Sequence, residues 1–225
     1  SSKLKRIAEE QFGEDPNYRV IPNGIDPDPI ERVSQRQIRS DPSSKTILSV
    51  SNLYPTKGID LNLRALKRLG GRHPDLKYQI IGAGPEQRSL MNLTHELGIS
   101  NQVEFLGQLP HDQVLAAMAA CDIFSLPSWQ EGFGIVYLEA MALEKPVVGC
   151  QGEGIEDFVV NAETGYLVKP KDLDDLVAVL DDLLENPSRR IETGKKAREY
   201  VLEMYTWEKN AQKTIQLYRE IVKDR

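Results

Sequence analysis

The feature that most restricts the fold of this sequence is a regular alternation of apolar runs and helical patterns that begins at residue 46. The runs lack polar alternation, and residues with helical periodicity lie between them. They are Thr46–Val50, Tyr78–Ile81, Val103–Leu106, Ile123–Leu126, Pro146–Val148 and Tyr166–Val168. Such strands, separated by amphipathic helices, indicate a parallel sheet covered on both faces. The sequence therefore predicts an α/β fold, a Rossmann-like doubly wound parallel sheet.

The segment ahead of this alternation is less regular. Residues 2–12 carry apolar side chains at helical spacing and predict an entry helix that ends at Gly13. Tyr18–Ile21 predicts a short strand. Prolines and polar residues fill Asp26–Ser44, so we expect an irregular connector there.

Helical periodicity returns after the last apolar run. We predict three closing helices, with Ser188 and Thr206 as caps, at Leu173–Leu184, Arg189–Tyr205 and Thr206–Val222. The 225 residues then form a single domain, with an entry helix, short strand and connector at 1–45, a core sheet at 46–170 and C-terminal helices at 171–225.

Composition narrows the class of partner and compartment. The formal charge is −6 with acidic and basic residues interleaved, which argues against nucleic acid. Cys121 and Cys150 lie beside apolar runs without zinc-ligand spacing, so we expect reduced core thiols in a cytoplasmic protein. No run approaches the roughly 18 apolar residues of a membrane span, and we expect no signal peptide. Peripheral association with the inner face of a membrane is left open.

The stretch Ser128–Leu143 holds the first chemical signal. From Gly132 to Leu143 the only carboxylate is Glu139, within a helical pattern that is apolar on every face. A helix of that kind is normally buried, and a lone buried carboxylate is costly without a partner. Glu139 therefore needs a partner, which is either a ligand or a backbone turn.

The turn ahead of this helix favours a ligand. Gly132 and Gly134 leave backbone N–H groups uncovered at the positive end of the helix dipole, where a phosphate binds well. Glu131 lies at the mouth of the turn and Glu139 leans back toward it. A phosphate site flanked by two carboxylates suits a nucleotide sugar. For Glu131, stabilisation of the helix dipole without any ligand is the alternative.

The sequence resembles the donor-site signature of the family 4 retaining glycosyltransferases, which have the GT-B fold. The resemblance lies in Glu131–Gly134, in the spacing of eight residues between Glu131 and Glu139, and in the surrounding residues. The resemblance covers nearly the whole chain. Further motifs in that family's order are Val20–Asp26, Ile47–Val50, Lys57–Gly58, Ile80–Glu86, Val103–Gly107, Pro127–Ser128, Ala140–Ala142, Lys145–Val148, Gly154–Ile155 and Gly165–Val168.

The resemblance implies the C-terminal, donor-binding half of such an enzyme. It implies transfer of a sugar from a nucleoside diphosphate, UDP in our interpretation, to a glycan or lipid-linked acceptor with retention at the anomeric carbon. No metal or other cofactor is implied. An acceptor-binding N-terminal domain is expected to precede Ser1 and is absent from this sequence, so we expect the fragment to bind donor but to transfer little.

Within the resemblance, Lys57 and Glu131 are the candidate catalytic residues. Lys57 stands just ahead of a helical pattern, where a cation opposes the helix dipole and a bound anion removes the conflict. An exposed lysine at negligible cost is the alternative. The family's lysine works with an arginine five residues earlier to hold the donor diphosphate, and that position is Asn52 here. Asn52 brings no charge, so about 1.5–3 kcal/mol of charge-assisted bonding is missing.

The other candidate binding residues take their roles from the resemblance. Glu131 contacts sugar hydroxyls, the amides of Phe133 and Gly134 meet the phosphate or sugar, and Glu139 binds the ribose hydroxyls. Gly82 and Gly84 lie near the nucleoside, with a plain tight turn as the alternative. Leu109 contacts the base, with ordinary strand-end packing as the alternative.

Two neighbouring positions are interpreted more weakly. His111 begins a helix, and we expect a surface residue there. The Gly152–Gly154 turn approaches the sugar by resemblance, although Glu153 departs from the family pattern.

Two other classes of function are also compatible with the sequence. They are a nucleotide-sugar epimerase of related fold and a non-catalytic nucleotide-binding module.

Overall fold

The computed structural model describes residues 1–35 and 45–223. In them, one sheet contains six parallel strands, and the predicted fold class is confirmed. Its strands are β1 (Thr46–Val50), β2 (Lys77–Ile81), β3 (Val103–Gly107), β4 (Ile123–Ser125), β5 (Val147–Cys150) and β6 (Tyr166–Val168). Each lies within one or two residues of its predicted run.

The strand order is β3-β2-β1-β4-β5-β6, so the chain reverses its direction of travel across the sheet between β1 and β4. Ile47 pairs with both Tyr78 of β2 and Ile123 of β4. In open parallel sheets, ligands bind beyond the carboxyl ends of the strands where the order reverses. A ligand site is therefore expected at the loops after β1 and β4.

Helices cover both faces of this sheet. They are α1 (Ser2–Phe12), α2 (Pro27–Ser34), α3 (Ile59–Leu69), α4 (Gln87–Glu96), α5 (His111–Ala120), α6 (Ile135–Ala142), α7 (Leu173–Glu185), α8 (Pro187–Met204) and α9 (Trp207–Lys223). The core includes fully buried residues of β1, α3, α6 and α7, such as Leu48, Leu63, Leu138 and Leu180. Because α6 is apolar on every face, it packs inside the domain as predicted.

The N-terminal segment differs from two predictions. Tyr18–Ile21 forms no strand. The nearby residue that pairs is Ile25, which forms an isolated bridge with Thr206. Pro27–Ser34 is a helix rather than irregular connector. Asp26 caps it through a bond from the Asp28 amide (3.1 Å), and prolines in a first turn lose no helical hydrogen bond. Residues 36–44 of the predicted connector lie outside the described residues.

The closing helices agree with prediction except at one cap. Thr206 accepts a bond from the Lys209 amide (3.3 Å) at the start of α9. Ser188 is not the cap of α8, because this helix already begins at Pro187 after Asn186. Proline supplies a preset φ at that first position. Within residues 1–35 and 45–223, no helix combines the length and apolar content needed to cross a membrane.

Both thiols are free and buried, as predicted. Burial raises the pKa of Cys121 and of Cys150 to about 12. At neutral pH they are protonated and behave as small apolar core residues.

Candidate functional site

A cavity of about 580 Å³ lies at the carboxyl ends of β1 and β4, where the strand order reverses. Loops that follow β1, β3 and β4 line it together with the first turns of α5 and α6. Of the candidate residues from sequence, those that line the cavity are Asn52, Lys57, Leu109, Glu131, Phe133, Gly134 and Glu139. The structure thus brings most of the predicted site together.

The loop after β1 carries Lys57 to the loop after β4. Lys57 ends a 3₁₀ turn, and Gly58 follows with φ +68°. A Cβ at Gly58 would overlap the carbonyl oxygen of Pro127, so only glycine lets the two loops approach this closely. Lys57 Nζ lies 2.9 Å from Glu131 Oε2, with the side chains 20% and 14% exposed. The anion that compensates Lys57 in this structure is therefore Glu131.

Glu153 also contacts the turn that contains Glu131. The Glu131 amide donates to Glu153 Oε2 (2.6 Å), and the Gly154 amide donates to the Glu131 carbonyl (3.0 Å). Lys3 of α1 pairs with the same buried carboxylate. Sequence reasoning noted Glu153 only as a departure from a family pattern, because its partners are more than twenty residues away in the chain.

The turn Gly132–Gly134 leads directly into α6. Gly134 has φ +87° and is the residue ahead of the first helical position. Among the described residues, none accepts a hydrogen bond from the amides of Gly132, Phe133 or Gly134. Phe133 and Gly134 line the cavity, whereas Gly132 lies beside it and its carbonyl accepts from the Ser1 hydroxyl. Unpaired amides at the positive end of a helix are suited to an anion.

Glu139 is neither fully buried nor without a partner in the protein. Its side chain is 16% exposed, and its Oε1 lies 2.7 Å from His111 Nε2. His111 is 61% exposed, which agrees with the predicted surface position, but its ring reaches into the site. The backbone-turn alternative for Glu139 is not what the structure has, because the partner is a side chain of α5.

The glycine turn after β2 has a different role. Gly82 and Gly84 do not line the cavity. A Cβ at Gly82 would overlap the Ser51 carbonyl oxygen, and one at Gly84 would lie 2.6 Å from the Leu53 amide nitrogen. Close packing against the loop after β1 accounts for both glycines without a ligand, and their predicted position near the nucleoside stays a prediction.

Ser51 was missed by sequence reasoning. It lines the cavity, and its buried Oγ has no hydrogen-bond partner in the described part of the chain. Nothing in the neighbouring sequence distinguished it from an ordinary strand-end residue.

A buried polar network supports the strands beneath the cavity. Tyr78 Oη lies 2.7 Å from Ser49 Oγ, and Asn62 of α3 donates to the Ser125 carbonyl (3.0 Å). Ser125 Oγ donates back to Asn62 Oδ1 (2.8 Å). Burial raises the pKa of Tyr78, so its hydroxyl stays protonated. The network ties β1, β2 and β4 to α3 and so holds the two loops of the site in place.

One group of three side chains suitable as metal ligands occurs in the described residues. His73 Nε2 lies 3.1 Å from Asp181 and 3.4 Å from Glu185. Arg72 also pairs with Asp181 at 2.6 Å. His73 precedes β2, so this group lies toward the amino ends of the strands, opposite the cavity. It takes no part in the candidate site.

Comparisons with known proteins identify the class. The family described as "Glycosyl transferases group 1" matches residues 31–200. A GDP-mannose-dependent α-(1-6)-phosphatidylinositol monomannoside mannosyltransferase of Mycolicibacterium smegmatis is 32% identical over 208 residues, which are 87% of this chain and 54% of that protein. A glycogen synthase of Mycobacterium tuberculosis is 32% identical over 199 residues, covering 88% and 47% respectively. The chain belongs to the group 1 glycosyltransferases.

Solved structures agree on the fold. Sucrose-phosphate synthase from Thermosynechococcus elongatus superimposes with a TM-score of 0.87 at 26% identity, over 100% of this chain and 58% of that chain. HepE of Anabaena in complex with UDP and glucose gives 0.85 at 24% identity, over 98% and 62%. The chain has the Rossmann-like fold found in GT-B glycosyltransferases, and it spans about half the length of the curated relatives it matches.

Proposed function

We propose that this chain is the donor-binding half of a family 4 retaining glycosyltransferase and that it holds a sugar nucleotide at the reversal point of its sheet. The observation that carries the proposal is the meeting of Lys57 with the unpaired amides of Phe133 and Gly134 in one cavity. A cation opposite a helix N-terminus forms a site for a diphosphate.

In this proposal the chain accelerates transfer by stabilising the leaving group. As the glycosidic bond loosens, negative charge grows on the diphosphate, and Lys57 together with the Phe133 and Gly134 amides stabilises it. In this proposal these donors stand in for a metal ion, and no residue of the described chain acts as a covalent nucleophile. Glu131 then exchanges its bond with Lys57 for sugar hydroxyls, while Glu139 binds the ribose.

The nucleotide part of the donor is UDP in our proposal, with GDP as the second candidate. UDP occupies HepE of Anabaena, a structure with the same fold. The mannosyltransferase of Mycolicibacterium smegmatis is named as GDP-mannose-dependent, and this observation favours the second candidate. Leu109 lines the cavity and is the proposed base contact in either case.

A thermal-shift panel of UDP, GDP and ADP with their sugars tests the donor proposal. A ligand at about one hundred times its Kd stabilises the folded state by about 2.7 kcal/mol. For a domain of this size the melting temperature then rises by about 5–10 °C. We expect the largest rise with UDP or a UDP-sugar. If none of the three nucleotides raises the melting temperature, donor binding by this chain is refuted.

We further propose that an acceptor-binding half acts together with this one on a glycan or lipid-linked acceptor. Apolar side chains on α1 and α9 are exposed in the described chain, and a second half would cover them; they include Leu4, Phe12, Ile215, Tyr218 and Val222. Cytoplasmic location and peripheral membrane association remain predictions.

Two measurements separate the enzyme from its alternatives. Residues 1–225 alone are expected to bind the sugar nucleotide while transferring little sugar, so rapid transfer by this fragment contradicts the two-half proposal. The matched family and the relatives named above are glycosyltransferases, which gives the epimerase alternative no support. A non-catalytic nucleotide-binding module remains the alternative, and it predicts no transfer even after an acceptor-binding half is joined.

A further inference from the structure

The contact between His111 and Glu139 supports one inference beyond the donor site itself. Glu139 Oε1 is hydrogen-bonded to His111 Nε2 at 2.7 Å. Its other oxygen accepts from no described residue, although the side chain is only 16% exposed. A largely buried carboxylate with one bonded and one unbonded oxygen has capacity for a further donor.

His111 owes its position to Glu139 more than to packing. It begins α5 directly after Pro110, and its side chain is 61% exposed. Val114, one turn further along α5, is buried and holds the helix in place. Because the ring itself is mostly in solvent, its removal leaves the core of the domain unchanged, whereas the Glu139 carboxylate loses its donor.

We propose that His111 is a positioning residue for the ribose part of the donor nucleotide. By holding Oε1, it directs Oε2 of Glu139 toward the cavity, where this oxygen accepts from a ribose hydroxyl. The inference rests on the proposed function, since it assigns the sugar of the nucleotide to Glu139. It adds a residue whose effect on binding is specific to the ribose hydroxyls and independent of the diphosphate.

The proposal predicts a change in selectivity. A site built to accept a hydroxyl disfavours the analogue that lacks it, because a desolvated acceptor is then left unpaired. Charge-assisted bonds of this kind correspond to a preference on the order of tenfold or more. Without His111 the carboxylate rotates freely, so part of this preference is lost.

The test measures Kd for UDP and for 2′-deoxy- and 3′-deoxy-UDP by calorimetry, with the guanosine set in parallel. Wild type is expected to prefer the ribonucleotide over at least one deoxy form by about tenfold. His111→Ala should lower that ratio several-fold and leave the melting temperature unchanged. His111→Gln, whose amide can donate to the same carboxylate, should restore much of it.

Two further variants serve as controls for the role of His111. Gln113→Ala changes an exposed neighbour on α5 and should alter neither the ratio nor the melting temperature. Glu139→Gln should reduce the ratio at least as far as His111→Ala does.

Three outcomes overturn the proposal. A ratio unchanged in His111→Ala, with ribonucleotide still bound, refutes the positioning role and leaves the donor site standing. Tighter ribonucleotide binding in His111→Ala without a change in ratio makes the histidine a competitor for Glu139. Absence of any nucleotide binding in wild type refutes the proposed function together with the inference.

Discussion

Two glycine-rich turns in this domain connect a strand to a helix, and the structure uses them differently. The turn after β2 contains Gly82 and Gly84, whose missing side chains let the neighbouring loop pack against the backbone. The turn after β4 contains Gly132 and Gly134 and presents amides without partners in the described chain. In the described chain, the atom nearest to a Cβ at Gly132 would be a side-chain carbon of Leu4, at 3.7 Å, whereas a Cβ at Gly134 would lie 2.5 Å from the ring of Tyr137.

The comparison shows why a glycine pattern is a weak functional signal. Glycine serves close packing and ligand approach through the same absence of a side chain. The amides of Ala83 and Gly84 likewise donate to no described residue, so unpaired amides alone do not separate the two turns. What separates them is their place in the sheet, since the turn after β4 borders the reversal point and the turn after β2 does not. Position at the reversal point and in the cavity wall, more than glycine content, marks the site.

Gly82→Ala is expected to have the largest effect, on stability. The new Cβ would overlap the Ser51 carbonyl oxygen at a residue with φ +130°. We expect a loss of at least about 3 kcal/mol, or a fall of about 6–12 °C in melting temperature. Gly71→Ala, where no atom of the described chain is found within 4 Å of the new Cβ, is the control and should melt like wild type. Equal melting of the two variants would remove the packing role of the turn after β2.

Lys57→Ala should act on binding. Removal of the cation takes away about 1.5–3 kcal/mol of charge-assisted bonding to the diphosphate, so Kd for UDP should rise by about tenfold to a hundredfold. Lys67→Ala, on the exposed face of α3, is the matched control. Calorimetric titration measures both. An affinity equal to that of Lys67→Ala would reduce Lys57 to a structural partner of Glu131.

Asn52→Arg is a gain-of-affinity test. Asn52 lines the cavity on the same loop as Lys57 but carries no charge. An arginine there should form a charge-assisted bond to the diphosphate and tighten UDP binding by about tenfold. Asn52→Gln, which is longer but uncharged, is the control. Unchanged affinity in Asn52→Arg would mean that the diphosphate does not reach the loop after β1.

Gly132→Ala should have the smallest effect. The new Cβ has room, and the backbone amide is retained. We expect a stability change below about 0.5 kcal/mol and nucleotide binding close to that of wild type. Thermal melting and the same titration check this. A large stability loss would mean that Gly132 is packed as tightly as Gly82 and would contradict the room seen beside it.

Much of the fold was predictable because it depends on local patterns. β1 and β6 have their predicted limits, and α7 extends its predicted range by one residue. The local sequence pattern gave wrong predictions where contacts between distant residues decide the secondary structure. Tyr18–Ile21 has the composition of a strand, but in the described chain the nearby residue that pairs is Ile25, which bridges to Thr206. The helix at Pro27–Ser34 was hidden by prolines that are compatible with a first turn.

The candidate site was predictable to the extent that its residues lie in one motif or follow one strand. Glu131, Phe133, Gly134 and Glu139 satisfy that condition. His111 and Glu153 do not, since each meets its partner only after the sheet assembles. Long-range contacts of this kind leave no periodic signal in the sequence.

The central claim is that the amides at the start of α6 receive the diphosphate of the donor. Amide NMR of the ¹⁵N-labelled chain, titrated with UDP and then with uridine, tests it directly. We predict that UDP shifts the Phe133 and Gly134 amide signals strongly and that uridine, which lacks phosphate, shifts them little. Saturable binding of UDP that leaves both signals in place would contradict the claim.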